Sequence, residues 1–124
     1  MTWGQEIFRA LLLTFGMTEI ISNISYLAKK NGLELARKQH GELPPNLPSG
    51  KIKSKVIFML LIGIIFFVAA LSSFILHKYI AAVILIPSIL FCLYAIIEAL
   101  YYKYWKTFGF AFVTILLLIT SILV

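Results

Sequence analysis

The chain reads as an all-α integral membrane protein, with four transmembrane helices packed as a small bundle and forming a single domain over residues 1–124. Three observations predict this. Hydrophobic residues make up 61% of the sequence and charged ones only 13%, against roughly 45–50% and about 25% in soluble domains. Val56–Leu76 contains no charged residue, and about 20 such residues cross a hydrocarbon core roughly 30 Å thick. Lys and Arg cluster at the ends of the apolar runs, as orientation signals do.

The first helix is expected over about residues 2–28 and is the least hydrophobic. Glu6 precedes Arg9, which is not the basic start of a signal peptide, and no small-residue cleavage site follows the Leu11–Phe15 run. A retained helix is therefore expected, spanning the bilayer in preference to lying flat at its surface. Stepping by four and three gives Gln5, Arg9, Leu12, Gly16, Glu19, Asn23 and Tyr26 on one narrow face. Nearly every polar residue of the span falls there, so this face turns from lipid toward protein or a wet crevice. Glu6 and Arg9, three apart, are placed to pair near the outer interface.

Glu19 is the residue most in need of a reason. It lies ten residues before Lys29, roughly 15 Å deep at 1.5 Å per residue, where a carboxylate costs several kcal/mol unless protonated, paired or wet. Two readings stay open: a hydrogen-bonded acid that glues helices together, or a site that responds to protons or cations. Asn23, one turn on, is placed to bond it.

The stretch 29–54 holds most of the basic residues. Leu33–Gln39 has helix-forming composition, Asn31-Gly32 marks a stop, and Pro44, Pro45 and Pro48 favour an extended connector. The second span is expected over 56–76, where Gly63 and Ala70 share a face suited to helix contact, as Gly16 does in the first. The third runs over about 79–102 through Pro87. Its Pro87, Phe91, Tyr94, Glu98, Tyr101 and Trp105 repeat the four-three step, and both Tyr94 and Tyr101 are placed to reach Glu98. Glu98 has an alternative, to snorkel and pair with Lys103 or Lys106. The fourth span is expected over 107–124.

Positive residues place the 29–54 loop and the Lys103–Lys106 turn in the cytoplasm and both termini outside, in a plasma membrane of bacterial type. Tyr101, Tyr102, Tyr104 and Trp105 at one end, with Trp3 and Tyr79 at the other, mark the two headgroup levels.

The net charge of +6 does not point to nucleic acid, because the basic loop is short and has no aromatic reading surface. Cys92 is the one cysteine, a small apolar filler that admits no intrachain disulfide. His40 and His77 lie in different regions with no carboxylate at ligand spacing, so neither a metal nor a cofactor is implied. No nucleophile–base pair or phosphate loop is present, which argues against an enzyme and names no catalytic residue.

Two functions fit. The first is a non-enzymatic accessory subunit that contacts membrane lipids and either a membrane-protein partner or further copies of itself. The second is a small oligomeric transporter or channel in which Glu19 exchanges protons or a cation. In its four spans, length and first-helix carboxylate, Glu19, the chain resembles in outline the small multidrug resistance transporters. That resemblance implies the second function. The sequence departs from them in its long basic, proline-containing loop and in lacking their third-helix glycine motif.

Overall fold

A computed structural model covers residues 1–124 and contains helices and connecting segments only. In order these are α1 (Trp3–Ala28), α2 (Gly32–Gln39), α3 (Ser49–Leu76), α4 (Ala81–Tyr102) and α5 (Trp105–Leu123). All but α2 are long and apolar enough to cross a membrane. The protein is a small multi-pass membrane protein. Large apolar side chains such as Ile21, Ile75, Ile97 and Phe112 point outward, a surface that water would not tolerate and lipid does.

Boundaries follow local chemistry. Thr2 caps α1, accepting from Gln5 N while the Gln5 side chain accepts from Thr2 N, a reciprocal arrangement that satisfies two amides at the helix start. The second span begins at Ser49, well before the expected 56, because Lys51, Lys53 and Lys55 are good helix formers and carry α3 beyond the apolar layer. The third begins at Ala81, not 79, since His77 ends α3 in the left-handed conformation and residues up to Ile80 form the turn. The fourth is α5, starting at Trp105 behind a left-handed Lys103.

α1 packs most extensively on α3, and α4 on α5, with a slighter α3–α4 contact joining the two pairs. The α1–α3 contact is close because Gly16 meets Gly63. A Cβ on Gly16 would lie 2.7 Å from the Gly63 carbonyl oxygen, and one on Gly63 would lie 2.8 Å from Glu19 Cβ. Small residues let backbones approach in this way. Ala70, fully buried, belongs to the central apolar core. The bundle centre is aromatic: Phe15, Phe66, Phe91 and Phe110, one from each long helix, stand 5.6–5.9 Å apart by ring centroid, mostly edge to face.

The 29–48 segment folds back as a cap. Ala36 and Leu43 are buried against Ile52 and Val56, with Tyr26, Leu33, Leu47 and Tyr102 around them. Gly32 makes the tight return from α1 possible, since a Cβ there would overlap the Tyr26 carbonyl. The expected Glu6–Arg9 pair does not form. Arg9 is buried and donates instead to the Ser73 carbonyl across α3, at 2.9 Å, because the four-three face turns it inward while Glu6 stays exposed.

Candidate functional site

Beneath the cap, at the loop end of the bundle, a single chain of polar contacts links four elements. In α1, Asn23 Nδ2 donates to Glu19 Oε2 at 2.8 Å and to the Glu19 carbonyl at 2.7 Å. Asn23 Oδ1 lies 3.2 Å from Nε2 of His40, the residue that ends α2. His40 Nδ1 is 3.5 Å from Glu42 Oε1, and the same oxygen is 3.3 Å from Lys55 Nζ of α3. Lys55 then reaches Glu98 Oε1 of α4 at 2.8 Å, and Tyr94 donates to Glu98 Oε2 at 2.7 Å. Thr107, at the start of α5, donates to the Glu42 carbonyl and fixes the cap from the remaining side.

The burial is deep. Asn23 and Thr107 are wholly inaccessible and Lys55 is 2% exposed. The Lys55 ammonium lies 4.1 Å from the centre of the Phe110 ring and 5.1 Å from that of Tyr94. Phe58 stacks on Tyr94. These rings exclude water and supply a negative face to the cation.

Hydrogen-bond logic orients the Asn23 amide. The Glu19 carbonyl can only accept, so Asn23 must present its NH2 there and its oxygen to His40. His40 Nε2 therefore donates. Its Nδ1 lies 3.5 Å from the Glu42 carboxyl. Burial pushes the Glu42 carboxyl up, but the His40 hydrogen bond and the Lys55 charge outweigh it and hold the group below its ordinary value. Three carboxyl groups, Glu19, Glu42 and Glu98, thus share two basic partners, His40 and Lys55. Glu19 is the one with no cation in contact, its side chain meeting only the Asn23 amide.

Of the residues marked in the sequence, Glu19, Asn23, Tyr94 and Glu98 come together in this chain. Tyr101 does not. It is exposed and accepts a hydrogen bond from Lys51 Nζ at 3.2 Å, because its position places it past Glu98 on the outer side of α4. Glu98 turns inward to Lys55 in place of Lys103 or Lys106. Gly16 and Gly63 lie in the α1–α3 seam of the chain itself, and Ala70 is buried in the central apolar core. His40, Glu42 and Lys55 are the members that sequence reasoning missed. Two spacings carry a signal for them. Ile52, Lys55, Met59, Ile62, Phe66, Ala69 and Ser73 follow a three-four step, which puts Lys55 on the core face of α3. Gly32, Ala36, His40 and Leu43 form one buried row.

No group of three or more His, Cys, Asp or Glu side chains is arranged to hold a metal ion. No known protein family matches the sequence, and no characterised protein or solved structure shows significant similarity to it.

Proposed function

We propose that this protein is a non-enzymatic accessory subunit of a membrane complex, set by the protonation or cation occupancy of the cluster under its cap. The observation that carries the reading is the chain from Glu19 to Glu98, buried at one end only. Between it and the other end lie Phe8, Leu12, Met59, Ile62, Phe66 and Phe91, a packed apolar core. A polar cluster confined to one end of the bundle suits a sensor or a regulated contact better than a conduit. By the distribution of positive charge, the cap and the Lys103–Lys106 turn face the cytoplasm of a bacterial-type plasma membrane, with both termini outside. A cysteine at exposed Asn46 should then be labelled only from the cytoplasmic side.

A second reading, a proton- or cation-coupled transporter, has one observation in its favour: Glu19 lacks a contacting cation, as an exchange site would between loads. Two measurements separate them. Purified protein in proteoliposomes with a trapped pH dye should show no flux above empty vesicles. Proteins that co-purify in mild detergent should depart as pH is changed, and Glu19→Gln should abolish that pH dependence. Flux that disappears in Glu19→Gln would overturn the accessory reading and establish the second.

A further inference from the structure

At the opposite end of the bundle, away from the polar chain, Arg9 stands buried in a membrane-spanning helix with no acidic partner. One of its terminal nitrogens donates to the Ser73 carbonyl at 2.9 Å and approaches Ser73 Oγ at 3.5 Å. Its guanidinium carbon lies 4.0 Å from the centre of the Phe74 ring. Its Nε is buried and has no hydrogen-bond partner. A guanidinium in such a position ordinarily carries a paired anion, because desolvating it without one is expensive.

The neighbourhood repeats the deficit. Ser73 is tied to the α3–α4 turn, its hydroxyl donating to the Lys78 carbonyl while Lys78 N donates back to its carbonyl. The next residue, Tyr79, has a buried hydroxyl that also lacks a partner. Burial pushes its phenol up, so it remains a donor throughout the physiological range. His77 ends α3 in the left-handed conformation, which turns the chain at this point. His77, Lys78 and Tyr79 line a cleft of about 290 Å³ with Gln5, which lies one turn above Arg9 on the same face of α1. The cleft lining contains no acidic residue.

We infer that this end of the bundle is a binding site for a phosphate-type oxyanion, held by Arg9, Lys78 and Tyr79 between the start of α1 and the α3–α4 turn. The anion supplies acceptors for the two orphaned donors and a counter-charge for the guanidinium. Arg suits it because the fork of donors matches phosphate geometry. The oxyanion has two possible sources, the headgroup of an anionic phospholipid or phosphate in solution. The site is independent of the cluster under the cap.

The test uses the full chain in nanodiscs of phosphatidylcholine, with and without phosphatidylglycerol, and separately with inorganic phosphate added. The readouts are the thermal midpoint and lipid retention in native mass spectrometry. Wild type should be stabilised by one of these anions, with Arg9→Gln weakening binding about tenfold or more, as the loss of a charge-assisted bond does. Lys51→Gln, at the other end, should respond as wild type does. Protection by phosphatidylglycerol alone identifies the headgroup; protection by inorganic phosphate identifies the soluble anion. Should Arg9→Gln not fold, Tyr79→Phe and Lys78→Gln make the same comparison. Equal responses of wild type and these variants, or no response of wild type to either anion, would overturn the inference.

Discussion

Lys55→Met is the sharpest probe of the buried chain. The ammonium touches Glu98 at 2.8 Å and Glu42 at 3.3 Å and is 2% exposed. Its removal leaves Glu98 with only the Tyr94 hydroxyl and Glu42 with only His40. Breaking a buried pair from one side costs about 3–5 kcal/mol, most of it the uncompensated charge left behind. Methionine replaces much of the lysine stem, so lost packing adds little, and a loss of about 3 kcal/mol is expected. The double variant Lys55→Met/Glu98→Gln removes one stranded carboxylate while keeping an acceptor for Tyr94. It should therefore recover part of the loss, with a coupling of about 1–3 kcal/mol. Reversible unfolding in mixed micelles, followed by the fluorescence of Trp3 and Trp105, gives both numbers. A single-variant cost below about 1 kcal/mol, the scale of an exposed ion pair, or strict additivity in the double variant, would refute the claim that Lys55 organises the site.

Other predictions follow from the same geometry. Gly16→Ala places a methyl 2.7 Å from both the Gly63 carbonyl oxygen and the Phe67 nitrogen, and should cost about 1–3 kcal/mol in the same unfolding assay as the two helices part. Gly109→Ala meets nothing within 4 Å and, being inside α5, should be neutral or stabilising by about 0.5–1 kcal/mol. Glu42 has a folded-state value below its ordinary 4.5, so its contribution is fully present above that value and fades as pH falls through the lowered one. Glu42→Gln should lower stability at neutral pH and flatten the acid limb of a stability–pH profile; an unchanged acid limb would contradict the assignment. Gly32→Ala should loosen the cap, seen as faster hydrogen exchange over residues 32–43 ahead of the bundle, since its Cβ cannot coexist with the Tyr26 carbonyl.

How much of this was legible in the sequence depends on how far apart the partners lie. The α1 stripe was readable because a four-three step gathers its polar residues on one face, and Gly16 and Gly63 because a glycine inside a span usually marks a close approach. The Tyr94–Glu98 bond is one helical turn long and equally local. Lys55 was hidden by its neighbours. Among Lys51 and Lys53 it reads as one more interfacial charge, and only the three-four row running on through Met59 and Ile62 distinguishes it. Its partner Glu98 is 43 residues away, and no periodicity within either helix states which levels of α3 and α4 face each other. His40 and Glu42 were obscured for a different reason: a basic, proline-containing segment between two spans has the composition of a solvated loop. Its few apolar residues, Ala36 and Leu43 above all, are what fold it onto Ile52 and Val56.

The cap therefore belongs to the transmembrane unit in an energetic sense. α3 starts at Ser49, so Lys55 stands where its apolar run begins, at the level of Glu98. Glu19 lies deeper, against Gly63. The three carboxyl groups differ in what answers them: Glu42 meets a lysine and a histidine, Glu98 a lysine and a phenol, Glu19 only an amide. His40 and Glu42 link Glu19 to the cap, joined to it through Asn23. These two residues are carried by the cap, held by the Leu43 contact and by the Thr107 bond to the Glu42 backbone. Because His40 and Glu42 both belong to the cap, their mutual contact would travel with it, and the polar bonds that tie the segment to the bundle are those from His40 to Asn23, from Glu42 to Lys55 and from Thr107 to the Glu42 carbonyl.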